Sequence, residues 1–372
     1  MVVPLAARYV AALAGLLIVL TSARSIIGTV IVPRPVNSWL TRKVDQFWTT
    51  WFRLITARIT DFRTRDRILA SQVATVLLSQ IIVWLLMFFV GYSLLLWPFV
   101  ADLTTAFTTA GPALFEIGSE RLNGAALRTI LDIASLTGIV TVTLQIAYLP
   151  TLYSAFNRRE TEVALLNARA GVPSWGPELL ARTHYALGSG ASTIDTLPDL
   201  YAQWERWAAD VAESHTTYLP LVRFRSPKPL SSWVTALLAV LDSAALFLAL
   251  SPKAAPVVPA RLCLRSGFIC FSEVARAMGI EVPAEPDPSA GINLTYDEFL
   301  AAVERMRKVD FPIERDPEDA WPDFVGWRVN YEQPAYAIAY ALDVVRALWS
   351  GPRPRARPEI PPIRPPGGKP PK

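Results

Sequence analysis

With 372 residues, 52% of them hydrophobic and only 18% charged, the chain carries less charge than a soluble domain, which holds about a quarter. The net charge is +4, but the basic residues sit beside apolar runs and in a Pro-rich tail, which argues against a nucleic-acid surface and for a membrane protein oriented by its charges. Two cysteines and two histidines, none clustered, leave no disulfide framework and no zinc site.

The first apolar segment runs from Tyr9 to about Val32, broken by Arg24. Val10–Leu20 has the look of a signal-peptide core and Thr21-Ser22-Ala23 of a cleavage site. Charge favours an uncleaved span instead. Pro33–Arg67 holds Arg34, Arg42, Lys43, Arg53, Arg58, Arg63, Arg65 and Arg67 against Asp45, Asp61 and Asp66, and such a loop belongs on the cytoplasmic side. Residues 1–32 are therefore expected to form a first transmembrane helix with an external N-terminus. Residues 33–67, with Trp39, Phe47, Trp48 and Trp51 among the bases, are expected to form a cytoplasmic or interfacial helix. Such a helix either lies in the headgroup plane or packs on a cytosolic domain.

Ile68–Val100 contains no charged side chain and is long enough to span, as is Leu127–Leu149, since roughly 20 apolar residues cross a bilayer. Between them, Ala101–Ala126 is small, weakly polar and half apolar, with a break expected at Gly111-Pro112. Two readings stand: an ordinary external loop, or a re-entrant segment buried by protein or lining water. Arg158 and Arg159 mark the inner face after the last span.

The pattern beyond is helical, with no alternating stretch long enough for a sheet. Leu200, Trp204, Trp207 and Val211 recur at helical spacing, and Thr295 with Glu298 forms a capping box. Ser231–Leu250 is apolar with Asp242 at its centre; it is read as the core helix of a soluble domain, with a fourth span as the alternative. The expected fold is thus an all-α membrane protein: three transmembrane helices with a re-entrant pore-loop segment, then an all-α cytosolic domain over 151–350. A disordered Pro-rich basic tail is expected over 351–372.

Two spans around a pore-loop-sized insert, followed by a helical cytosolic domain, resemble the bacterial two-span potassium-channel-like family over residues 68–150. The runs Ala147–Tyr153 and Gly326-Trp327-Arg328-Val329-Asn330-Tyr331 are similar to that group as well. The family's filter has the pattern Thr-Val-Gly-Tyr-Gly, whose carbonyls replace the ion's hydration shell. Here the matching stretch is Glu116-Ile117-Gly118-Ser119-Glu120. Gly118 and Ile117 match, whereas Glu116, Ser119 and Glu120 depart from the pattern.

The resemblance implies an ion pathway at Glu116–Glu120, a gating hinge at Gly138 and a cation-concentrating cavity acid at Asp132. Gly138 could equally be a helix contact, and Asp132 could lie in the outer leaflet beside Ser135 or Arg128. The implied partners are membrane lipids and monovalent cations, in a homo-oligomer that is a tetramer if a pore forms. The implied location is a bacterial plasma membrane, with the C-terminal domain cytoplasmic. No catalytic motif, cofactor motif or metal-ligand set is apparent, and an enzyme is not expected. The rival reading is a non-conducting anchor or signalling protein that keeps the pore fold. Reporter fusions at Asn37 and Ala191 are both expected to report cytoplasm; an external signal at Ala191 would reverse this topology.

Overall fold

The computed structural model describes residues 4–32, 39–115, 124–183, 193–283, 285–287, 291–354 and 357–363. Among these, every regular element is helical, and the only β features are two isolated bridges. Four helical stretches are long and apolar enough to cross a membrane: Leu5–Ile31, Phe62–Phe99, Ala125–Ala170 and Trp233–Leu250. Protein covers about a third or less of the apolar window in the first three (28%, 33% and 28%) and 94% in the fourth. The chain divides into two compact units, 1–60 with 68–154, and 61–67 with 155–372.

In the first unit, helix α1 (Leu5–Ile26) ends in a π-helical turn, Ile27–Ile31. Next come α2 (Trp39–Thr56) and α3 (Phe62–Ala70), whose first part belongs to the second unit. Helix α4 (Gln72–Leu96) follows. α1 and α4 pack antiparallel, as a series of contacts along their length demonstrates. Arg8 donates to the carbonyls of Val100 and Ala101, each at 3.1 Å, and Trp84 Nε1 donates to Ser25 Oγ at 3.0 Å. Midway, Gly15 meets Gly91 so closely that a Cβ on Gly15 would lie 2.5 Å from the Gly91 carbonyl oxygen. Small residues at such a crossing let two apolar helices approach backbone to backbone.

α2 does not lie across this pair. Thr41 takes a hydrogen bond from Gln80 (3.0 Å) and shares one with Thr29 (3.1 Å), while Thr49 takes one from Gln72 (3.2 Å). Eight residues along α2 correspond to eight back along α4, so the two run alongside each other in opposite directions.

Helix α5 (Leu103–Leu114) starts at Asp102, whose carboxylate accepts from Thr105 N at 2.7 Å. The helix continues through Gly111 and Pro112, where a break was expected. Pro112 costs only one intrahelical donor this near the end. Helix α6 (Ala125–Ala170) passes through Pro150 and contributes to both units, which divide at Ser154 rather than at the expected 150.

The second unit is built around α10 (Trp233–Leu250), which opens on an N-cap bond from Val234 N to Ser232 Oγ. Every residue of α10 is buried. Around it pack α7 (Gly176–Thr183), α8 (Leu197–Thr217), α11 (Val257–Ala277), α13 (Pro317–Arg328) and α14 (Glu332–Ala341). α9 (Pro220–Arg223) is a single turn, and α12 (Tyr296–Arg307) carries the expected capping box. Cys263 and Cys270 are free and buried in α11.

The expected disordered tail requires correction for residues 351–354 and 357–363, which dock onto this unit. Arg353 is buried and donates to the carbonyls of Val344 and Val345, both at 2.9 Å. Ile360 N bonds to Arg346 O at 2.8 Å, and Val172 and Ile363 exchange a pair of backbone bonds. Proline lacks a donor but keeps its carbonyl, and one arginine carries five donors, so Pro-Arg chain can dock through side-chain hooks without forming an element. Burial pushes the Arg353 guanidinium down to about 10. Truncation after Gly351 should therefore destabilise the second unit by at least about 2 kcal/mol, since it strips charged donors from buried carbonyls. Thermal denaturation of the truncated full-length background checks this; an unchanged Tm would show that the tail contributes nothing.

Candidate ion pathway and a buried charge cluster

In the first unit, the face of α5 formed by Ala106, Ala110, Ala113 and Leu114 is buried, and Phe107 meets Phe89 edge-on at 5.3 Å between centroids. The C-terminal carbonyl of the helix, that of Leu114, abuts Gly138, where a Cβ would collide with it. One residue earlier, Thr137 Oγ1 shares a 2.7 Å hydrogen bond with Tyr92 Oη. The end of α5 therefore packs on α6 beside the residue that Tyr92 of α4 bonds. Gly138 lies within continuous α6 and is a close helix contact.

Asp132 lies on the same helix, exposed beside Ile133, and forms no hydrogen bond or ion pair with a described residue. The filter-like residues Glu116, Ile117, Gly118, Ser119 and Glu120 lie outside the described residues.

The second unit contains a site that periodicity could not locate. Asp242, in the middle of apolar α10, is 1% exposed and is bound by Arg328 and by Tyr331 Oη (2.7 Å). Arg328 also donates to Glu332 (2.8 Å), Tyr336 Oη (2.8 Å) and the Trp349 carbonyl (2.8 Å). Four aromatic rings, Phe324, Tyr331, Tyr336 and Trp349, stand within cation–π range of its guanidinium. Glu332 in turn accepts from the Asn293 side chain at 2.9 Å. The sequence run Gly326–Tyr331 supplies the centre of this cluster. Asp242 among apolar residues signals that a base must exist, but not which one, because its partner is 86 positions away.

A second buried cation, Arg159, donates to Glu160, to the Leu221 carbonyl (2.7 Å) and to the Phe224 carbonyl (2.7 Å), and bonds His215 Nε2 at 2.9 Å. Burial, reinforced by Arg159, holds His215 well below the usual histidine range. The imidazole is neutral there, so its Nε2 is free to accept from the guanidinium.

Comparison with protein-family models, curated proteins and solved structures returns no match. The functional reading rests on the geometry alone.

Removing one partner of a buried pair strands the other charge. Arg328→Met should cost about 3–5 kcal/mol of second-unit stability, and adding Asp242→Asn should recover part of it. A double-mutant cycle by chemical denaturation measures the coupling; additive effects would show that the two residues act independently.

Proposed function

We propose that this chain is a multi-pass membrane protein with three spans, whose copies assemble around re-entrant α5 into a cation-conducting pore. The second unit serves as its cytoplasmic sensory or assembly domain. The observation that carries this reading is the depth of α5. The contacts Arg8–Val100 and Thr29–Thr41–Gln80 bracket the stretch from Gln80 through the end of α4 and its 3₁₀ turn to Val100, about 30 Å, which is the thickness of a bilayer core. Between them α1 and α4 leave Leu13, Leu17, Leu20, Ile82 and Leu86 uncovered, as lipid contact would require. α5 enters from the Val100 end and stops about 12 Å down, near the middle of that slab.

A helix that ends at mid-depth directs its last carbonyls and the negative end of its dipole into the interior, which favours a cation there. Asp132, with no hydrogen bond or ion pair to a described residue and beside the exposed Ile133 and Leu136, is costly in lipid unless it faces water, an ion or another copy. α10 is not needed as a span. Its own protein covers it, and an ion pair with Arg328 neutralises its single acid, so the second unit is read on the side marked by Arg158 and Arg159.

The departure of Glu120 from the second filter glycine favours a second reading, a non-conducting anchor that retains the pore fold. Flux from full-length protein in liposomes separates the two. A pore predicts that Asp132→Asn lowers cation flux several-fold and that Glu116→Gln alters ion preference more than stability. A parent protein that folds as an oligomer yet passes no ion at any voltage or pH would establish the anchor.

A further inference from the structure

The contacts that bracket the slab also fix the level of three exposed cations, Arg24, Arg42 and Lys43. The boundary at Thr29, Thr41 and Gln80 is followed on α2 by Arg42 and Lys43, about 1.5–3 Å further out at helical rise. Both are exposed and form no ion pair with a described residue. Trp39, 67% exposed, sits beside them at the boundary, the depth where amphipathic rings are enriched. Arg24 is exposed on α1 about 7 Å inside the boundary, within reach of it by extending its side chain outward. The polar layer of one leaflet is about 5–7 Å thick, so these three cations converge on the phosphate level of a single leaflet. Asp45, the nearest acid on α2, leaves the group net positive.

We infer that Arg24, Arg42 and Lys43, with Trp39, form a binding surface for anionic phospholipid headgroups at the Gln80 end of the α1–α4 pair. The inference rests on the membrane reading above but not on conduction. A second copy of the same face would set like charges against each other, whereas a phosphate layer complements them. Because α2 runs alongside α4, its later arginine, Arg53, lies about 18 Å beyond the boundary and outside the headgroup layer. A helix lying flat would place Arg53 at the same depth as Arg42.

The test is a titration of purified full-length protein in neutral detergent with short-chain phosphatidylglycerol or phosphatidylcholine, followed by native mass spectrometry and Tm. The parent should bind phosphatidylglycerol and rise in Tm, with little response to phosphatidylcholine. The Arg42→Gln/Lys43→Gln variant should bind about 30-fold more weakly, given about 1 kcal/mol per cation near an anionic surface, and Arg24→Gln by a smaller factor. Arg53→Gln should match the parent. Equal binding by the double variant would overturn the surface, and an equal loss in Arg53→Gln would overturn the depth assignment. Glycerol phosphate should not compete at matched concentration; if it does, the site takes free phosphate and the lipid assignment fails. Protein that stays in the aqueous phase without detergent would instead refute the membrane reading itself.

Discussion

Close approach of backbones at two glycine crossings is the constraint on which the first unit depends. Gly15 against Gly91 joins α1 to α4, and Gly138 against the Leu114 carbonyl seats the end of α5 on α6. Between apolar helices in an apolar surrounding there is no hydrophobic gain from association, so dispersion contacts and a few hydrogen bonds must hold them together. Tyr92 with Thr137, beside Gly91 and Gly138, and Trp84 with Ser25, further along the α1–α4 pair, are such bonds. The crossings thus decide where α5 ends against α4 and α6.

The second unit solves a different problem. Its central helix is so apolar that it would suit lipid, yet five neighbouring helices cover it and one acid interrupts it. Burying Asp242 alone would cost several kcal/mol; Arg328 and Tyr331 offset this, and Glu332 with the Trp349 carbonyl satisfies the remaining guanidinium donors. Such a cluster adds little net stability over an apolar core of equal volume. It does fix the register of α13 and α14 against α10, because a shift by one residue would strand three charges.

Two chain segments from far apart meet at the turn that follows α14. Arg65, just before α4, pairs with Asp343 at 2.7 Å, and Asp66 pairs with Arg225 at 2.5 Å. Arg353 and Arg357 approach the same turn from the C-terminal side, the latter 3.6 Å from Asp343. Asp343 is therefore a shared partner of Arg65 in α3 and Arg357 in the C-terminal segment.

By itself, the sequence determined the helical class, the apolar runs, the capping box at Thr295 and the need for a partner to Asp242, because these follow from local composition and spacing. It could not determine that α5 continues through Gly111-Pro112, since local break signals yield to packing when a helix face of Ala106, Ala110 and Ala113 is buried. Nor could it give the course of α2: amphipathicity defines faces, whereas the Thr41 and Thr49 hydrogen bonds define direction. The docked tail was illegible for a related reason. Its binding resides in one arginine and scattered carbonyls, which have no period. Only the tertiary structure decided these, because each depends on contacts between residues tens to hundreds of positions apart, where chain order carries no information about distance.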